Sequence, residues 1–586
     1  MQEQQKENLE ALRHTLSHIL MQVLEQLYGA IPAIGPAIDN GYYHDFDAKT
    51  QITEKDLKNI KREMIKIINK DLPVEHKTLP IKEAIKLLKK KKYIYTLELA
   101  KDLQKEGASE ISFYQQGEFI NMCKGPHLES TGKINPKAFK LTKIAGTYWK
   151  GDEKNKMIQR IYGIAFETPE ELQAYEKMLE EAKKRDHRKL GKELDLFCFS
   201  DLVGPGLPMF TPKGSTIIGE LQKHVEKICR DYGFQRVMTP HLAKIDLFKI
   251  SGHADKFADE LFHVTSDKKH EFVLKPVQCP HQTQIYASRP RSYRDLPIRY
   301  MESEKQYRAE KTGEVGGLNR VYAITVEDGH SFCRVDQVKK EVINMVKIIR
   351  EFYTELGFWD KVWISLSVRD YEHPEKYIGT SKDWDTCENM LQEVSDEMNL
   401  KAIKCEGEAA LYGPKLDFMF KDALGKEIQI PTVQLDFATP KKFNLVYTNE
   451  KGQEENPVMV HRAILGSYER FLVLLIEHYV GAFPFWLSPV QVKVIPVANE
   501  HQDYAKNIFE KLRQADFRVE IDNSNNNFGK KVREAKNEKI PYFIIVGNED
   551  IEKQKLTLES RDGEPSLQIS LEELLEKFKR ENNNLN

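Results

Sequence analysis

Over residues 193–487, long helical runs and β-prone runs follow one another without a regular period. The β-prone pieces include FVLKP, LPIRYMES, NRVYAITVEDGHSF, KLDFMF and KEIQIPTVQLDF. A doubly wound parallel sheet needs a helical crossover between successive strands, so this spacing predicts an α+β unit on an antiparallel sheet. Beyond Ser488-Pro489 the pattern changes: strand VQVKVIPV, a helix over 500–514, strand FRVEID, helix FGKKVREAKNEK and strand YFIIVG alternate. Residues 488–586 therefore read as a small α/β domain, ending in a polar, frayed tail, KRENNNLN.

Upstream, Leu9, Leu12, Leu16, Ile19, Leu20, Val23 and Leu27 repeat at helical spacing over residues 7–28, with Gly29 as the stop. Residues 53–70 and 80–92 read as helices, ISFYQQGEFINMC as a hairpin and MIQRIYGIAF as a buried strand. These pieces make residues 1–166 a separate α+β domain. Residues 167–192 form a connecting helix, with Thr168 and Glu171 spaced as a capping box. Its charged face is either solvated or a basic surface for a polyanion.

No apolar run approaches the ~20 residues of a membrane helix. The first twenty residues lack the basic and apolar regions of a secretory signal, and seven Cys form no disulfide framework. The expected compartment is the reduced cytoplasm, with no membrane partner. With 88 Lys+Arg against 90 Asp+Glu the net charge is −2, which taken alone argues against a polyanionic partner.

Three constellations carry chemistry. His14 and His18 lie one helical turn apart, and NMCKGPHLES adds Cys123 and His127 on a Gly-Pro loop. Such a set can hold a transition metal or orient a hydrolytic water. Arg308-x-Glu310 ends one strand and Arg320 begins the next, an arrangement that clamps a nucleotide or is merely a surface ion pair. In VMVHRAILGSYERF a strand enters an amphipathic helix from which Arg470 can reach a terminal phosphate, Gly466 allowing close approach.

Taken in order, QRVMTP with Pro240, Arg308-x-Glu310 and Gly466-Ser-x-Glu-Arg470 resemble the three motifs of class II aminoacyl-tRNA synthetases. GPAIDNGYYHDF, MCKGPH, GTYWKGDEKNKMIQRIYG, KRDHRKLGKELDLF, LKPVQCP, LYGPKLDF, TVQLDF and PVMVHRAILGSYERF are similar to the threonyl family among them. The resemblance runs from His14 to the last strands. It implies ATP-dependent ligation of L-threonine to tRNA(Thr) through a threonyl adenylate, by a homodimer paired around Pro240. It implies an editing domain over 1–166, a catalytic domain over 193–487 and an anticodon-binding domain over 488–586.

By matching motif, Arg308 and Glu310 would hold the α-phosphate and adenine, with Arg320 and Arg470 on the distal phosphates bridged by Mg²⁺. Cys279, His330 and His461 match the ligands of one Zn²⁺ per subunit. Asp328, Tyr412, Gln429 and Gln434 match the threonine pocket. A zinc that binds the substrate hydroxyl rejects valine, while serine keeps that hydroxyl and differs by only about 1–3 kcal/mol. His14, His18, Cys123 and His127 match the family's hydrolytic site for Ser-tRNA(Thr), expected to work without metal. Asn525 and Arg533 match anticodon contacts.

Departures from the family pattern are specific. The chain starts at the editing helix without the usual ubiquitin-like domain, and Asn121 stands for the Asp two before the editing Cys. KKYIYTLEL supplies no clear editing Lys. Cys-Pro-Gly-His reads Cys279-Pro280-His281-Gln282, and the aromatic four after the second motif-2 Arg is Ile324. The C-terminal stretch from Pro489 holds 16 Lys+Arg against 18 Asp+Glu, so an RNA partner requires charge segregation, through KKVREAKNEK, KLLKKKKY and KKRDHRK.

Overall fold

The computed structural model describes residues 2–583 apart from 269, 312, 423, 424 and 426, with side chains from Lys6 onward. The chain divides into two compact units, Met1–Glu180 and Glu181–Asn586. Among the described residues no helix is long and apolar enough to cross a membrane.

In the first unit the opening helix spans Gln2–Tyr28 and stops where Gly29 takes φ +60°. Its buried stripe, Leu16, Ile19, Leu20 and Val23, packs with Tyr42, Phe46, Phe139 and Ile161 of a five-stranded sheet. That sheet runs Ile31–Pro32, Gly41–Asp47, Met157–Ala165, Phe139–Tyr148, with Ala37–Ile38 also paired to the second strand. Met157–Ala165, read from sequence as buried, is buried at Ile161, Gly163 and Ala165 on one face and at Ile158 on the other, the rest being half-buried or exposed. The expected hairpin forms from Glu110–Gln116 and Phe119–Met122, and Val74–Pro80 joins it as a third strand. Helices Leu57–Asn69 and Ile81–Lys91 match expectation, while Ile94–Lys105 is an additional helix. Its apolar residues are shared with the hairpin core rather than set on one stripe.

The connecting segment is two helices, Pro169–Arg185 and His187–Glu193. Asp186 caps the second through Arg188 N at 2.8 Å, which ends the single helix expected from periodicity. The capping box at Thr168 and Glu171 is present, both bonds at 3.2 Å. Part of KKRDHRK is tied down rather than displayed. Arg185 donates to the carbonyls of Glu477 and His478, His187 Nδ1 lies 2.9 Å from Glu477, and Arg188 clamps Asp186.

The second unit holds an eight-stranded sheet: Gln235–Arg236, Ile298–Tyr307, Ala323–Cys333, Val458–Ser467, Glu427–Asp436, Lys415–Lys421, Trp363–Val368, Ile403–Glu406. Its six central strands are antiparallel and only the two edge pairs are parallel. Helices Pro212–Asp231, Val338–Glu355 and Tyr468–Tyr479 share one core with it, through Leu221, Val342, Ile349, Phe471, Val433 and Val460.

In the C-terminal part, Val519–Ile521, Val492–Pro496 and Tyr542–Val546 are parallel, as the alternation requires. The sheet continues antiparallel into Leu556–Ser560 and Leu567–Ile569, a pair not read from the sequence. Helix Leu571–Asn583 buries Leu574 and Phe578. Most of the tail expected to fray is therefore helical, its last three residues lying outside those described.

Candidate functional site

Among the described residues two cysteine–histidine clusters form, one in each unit. In the first, the opening helix supplies His14 and His18, and the loop after Phe119–Met122 supplies Cys123 and His127. The four donor atoms all lie within 4.8 Å of one another. Cys123 Sγ is 3.2 Å from both His14 Nε2 and His127 Nε2. The outer partner of His127 is a hydroxyl, and His18 Nδ1 is buried without one. Thr15 Oγ1 donates to Ala11 O at 2.7 Å, so it must accept from His127 Nδ1–H at 3.2 Å, which leaves the Nε2 lone pair facing the thiol.

The same logic fixes His44, which sequence reasoning passed over. Ser17 Oγ lies 2.9 Å from Gly35 O and 2.8 Å from Tyr43 O, so its one proton is spent on a carbonyl. It therefore accepts from His44 Nδ1–H at 2.9 Å, and His44 Nε2 is buried without a partner. His44 lines the same cavity, of about 610 Å³, together with His14, His18, Asn121 and Cys123. Burial is the main cause of every shift here. It pushes the Cys123 thiol up to about 11 and, with repulsion from His14, lowers His127 and His44 to about 3. At neutral pH the cluster is a neutral thiol among neutral imidazoles. Asn121 Oδ1 accepts from Met122 N and carries no charge into the cavity.

The second cluster joins three distant segments. Cys279 opens helix Cys279–Ala287, while His330 and His461 are register partners on adjacent antiparallel strands. Their donor atoms also lie within 4.8 Å, and all three residues are buried. Here the outer partners are an amide and a carboxylate: His330 Nδ1 meets Gln282 Oε1 at 2.8 Å, and His461 Nε2 meets Asp436 Oδ2 at 3.0 Å. Each imidazole keeps its other nitrogen for the cluster, and His330 Nε2 is a buried atom without a partner. Burial drives the Cys279 thiol well up and His330 well down, costs that a bound cation would offset. An orphaned nitrogen and a one-Cys, two-His set with acceptors behind both imidazoles fit a zinc site with an open position. His281 stays outside the cluster: it packs on Phe248 and both its ring nitrogens lack partners.

Around this cluster, Asp328 Oδ2 is 3.9 Å from His330 Nε2, and the Tyr412 ring is 5.5 Å from that of His461. Burial pushes the Asp328 carboxyl up to about 7, against the pull of His461. Gln434 is the register partner of His461 on its other side, with a buried, unpartnered Nε2. Gln429 is engaged elsewhere, donating to Asp417 Oδ1 at 2.5 Å.

A neighbouring cavity of about 230 Å³ is lined by His253, Lys256, Glu260, Arg308 and Tyr412, among others. Arg320 Nε binds Glu310 at 2.7 Å and Arg320 Nη2 binds Glu314 at 2.9 Å, so the hairpin does bring the expected pair together. The Arg470 guanidinium donates to Asn319 O at 3.3–3.4 Å. Burial first, then Arg308 and Arg320, pull its guanidinium below its ordinary value. Three neighbouring guanidiniums, with Glu310 and Glu314 both on Arg320, make a charge set suited to a polyanion. Glu469, beside Arg470, fixes the hairpin by accepting from Thr325 N at 2.8 Å and from Lys305 Nζ at 3.0 Å.

In the C-terminal part, Asn525 is an exposed loop residue and Arg533 is exposed on helix Phe528–Asn537. They flank a cavity of about 490 Å³ lined by Lys493, Phe509, Glu520, Asp522, Ser524 and Glu534. Lys531 of KKVREAKNEK is buried and reaches Pro496 O, so that run is less exposed than its composition suggests. On helix Ile81–Lys91, by contrast, Lys82, Lys86, Lys89 and Lys90 all face solvent.

Comparison with known proteins agrees with this geometry. Residues 262–479 match the class II core domain of tRNA synthetases (G, H, P, S and T), and 491–581 match an anticodon-binding domain. Residues 111–162 match the second additional domain of threonyl and alanyl tRNA synthetases. A threonine–tRNA ligase of Halalkalibacterium halodurans is 43% identical over 98% of this chain and 89% of its own length. One of Clostridium tetani is 44% identical over 99% of this chain and 89% of its own. Among solved structures, the RNA-binding domain of a Cryptosporidium parvum threonyl-tRNA synthetase aligns at TM-score 0.64 and 34% identity, covering 67% of this chain and 98% of that one.

Proposed function

This chain belongs to the threonyl-tRNA synthetase family and charges tRNA with threonine, and on that premise we propose how its side chains divide the work. The α-phosphate of ATP sits on Arg308 and the adenine on Glu310. Arg320 and Arg470 take the distal phosphates with the Mg²⁺ that class II synthetases use with ATP. The observation that carries this reading is the proximity of three guanidiniums, Arg308 and Arg320 adding to burial in lowering Arg470, with Arg308 lining the neighbouring cavity. Phosphate oxygens relieve that repulsion, so the site stabilises the adenylation transition state by fixed charge and position.

Cys279, His330 and His461 hold one zinc per subunit. When bound, the ion would supply a Lewis acid for the polar groups of threonine. Asp328 and Gln434 border the site, Tyr412 closes the pocket on the His461 side, and Gln429 supports the same strand. Metal analysis combined with threonine-, serine- and valine-dependent ATP–pyrophosphate exchange tests this. One zinc per chain, exchange with threonine and weak exchange with valine are expected; valine exchange equal to threonine would refute the zinc-based selection.

Serine escapes that selection, and the first cluster clears it. His14, His18, Cys123 and His127 orient a water onto the ester of Ser-tRNA(Thr) without a second metal, in a domain taken as residues 1–166. The catalytic domain is 193–487, reached through 167–192, and 488–586 reads the anticodon with Asn525 and Arg533. The enzyme acts in the cytoplasm as a homodimer. Met238 beside Pro240 and Leu202 support that pairing, being apolar and 73% and 100% exposed. A monomeric mass in solution would refute it.

A further inference from the structure

Helix Cys279–Ala287 carries more than one component of the second cluster. Gln282 lies one turn beyond Cys279 on the same helix and is fully buried. Its Nε2 donates to Glu302 Oε2 at 3.3 Å, while its Oε1 lies 2.8 Å from His330 Nδ1. Behind it, Glu302 accepts from Thr239 N at 2.6 Å and Thr239 Oγ1 at 2.9 Å, and lies 3.6 Å from Lys275 Nζ. Lys275 donates to Thr239 Oγ1 at 2.9 Å. Lys275 and Glu302 are both wholly enclosed, so their mutual charge and these bonds have no competing water.

Proton positions follow from this chain of partners. A carboxylate salt-bridged to a lysine offers only acceptors, so the Gln282 amide must turn its NH₂ toward Glu302. Its carbonyl oxygen must then face His330, which makes Nδ1 the protonated nitrogen and puts the lone pair on Nε2. That nitrogen is the buried, unpartnered atom pointing into the cluster. We infer that Gln282, oriented by the buried Lys275–Thr239–Glu302 relay, is the positioning residue that sets the His330 tautomer for zinc binding. The inference rests on the zinc reading above and adds what makes one of its ligands competent. It also gives a role to the position where this chain departs from Cys-Pro-Gly-His: an amide has a fixed donor end and acceptor end, so the relay's polarity passes through it unchanged.

The test is zinc affinity of the full-length protein, by competition with a chromophoric chelator at neutral pH, alongside KM for threonine and for ATP. Gln282→Leu removes the acceptor and is expected to weaken zinc about 10- to 100-fold. It should raise KM for threonine while leaving KM for ATP in place. Gln282→Glu keeps an acceptor for Nδ1–H and should lose less. Glu302→Gln frees the amide to flip and should weaken zinc; made together with Lys275→Met it leaves no unpaired buried ammonium, which covers the case that Gln282→Leu folds poorly. Wild-type zinc affinity in both Gln282→Leu and Glu302→Gln would overturn the positioning role alone. A wild-type protein that binds no zinc would overturn the zinc reading itself, and this inference with it.

Discussion

The two clusters are built from nearly the same side chains, and they differ in what stands behind them. In the first, His127 rests on the Thr15 hydroxyl and the neighbouring His44 on that of Ser17, while His18 Nδ1 has no partner. The imidazoles of the second rest on a carboxylate and an oriented amide, Asp436 behind His461 and Gln282 behind His330. A hydroxyl that has spent its proton on a carbonyl fixes a tautomer but adds no negative charge. A carboxylate does both, raising the basicity of the ligand and offsetting a cation. The Cys contacts differ likewise: Cys123 lies within hydrogen-bond reach of two imidazoles, whereas each cluster holds one buried imidazole nitrogen without a partner, His18 Nδ1 in the first and His330 Nε2 in the second. On the proposed reading, the outer partners, more than the ligand types, separate a water-orienting cluster from a metal site.

The contrast breaks most visibly if the wrong cluster controls activation. Cys279→Ala should reduce threonine-dependent ATP–pyrophosphate exchange by about three orders of magnitude, the kinetic equivalent of the several kcal/mol a Lewis acid supplies. Hydrolysis of Ser-tRNA(Thr) by the same variant should be untouched. Conversely, Cys123→Ala or His127→Ala should slow that hydrolysis about 100-fold, the scale of losing one general acid–base group, with aminoacylation unchanged. Loss of adenylate formation in Cys123→Ala would mean that the two clusters are not independent. A smaller effect isolates the outer partners: Asp436→Asn should weaken zinc about 10- to 100-fold, and Thr15→Val should leave zinc content unaltered.

How much of this was legible in the residues follows from how local each signal is. His14 with His18 and Cys123 with His127 are each one short spacing, so both halves of the first cluster stood out before any fold was known. Cys279, His330 and His461 have no local pattern. They meet because two antiparallel strands put His330 opposite His461 and a helix begins beside them at Cys279, so only the resemblance to a family could name them. The antiparallel catalytic sheet was legible from irregular spacing, since no crossover period was present. Ile94–Lys105 was not, because its apolar residues serve two neighbours and leave no clean stripe. His44, Gln282 and Asp436 were invisible as partners for a simpler reason. A polar residue in a β-prone or helical run does not reveal which of its atoms finds a donor, and that decides a tautomer.

The hydroxyl-backed histidines also carry an acid liability, set by how little Ser17 and Thr15 can do for an imidazolium. In the folded protein His44 and His127 are lowered to about 3, mainly by burial, against the ordinary value of 6.5. The unfolded chain therefore takes up protons first as pH falls. Their contribution to stability is complete above about 6.5, declines below it, and is exhausted near 3. Within that window each group costs about 1.4 kcal/mol per pH unit, a tenfold change in the unfolding equilibrium. Hydrogen exchange of peptides from the opening helix and from Gly41–Asp47 should accelerate between pH 6 and 4, in the full-length protein. His44→Gln keeps an amide donor for Ser17 Oγ and cannot titrate, so its exchange should depend less steeply on pH by about one tenfold step per unit. An unchanged slope would mean that His44 accepts a proton in the folded state, and that a hydroxyl partner does not suffice to keep a buried imidazole neutral.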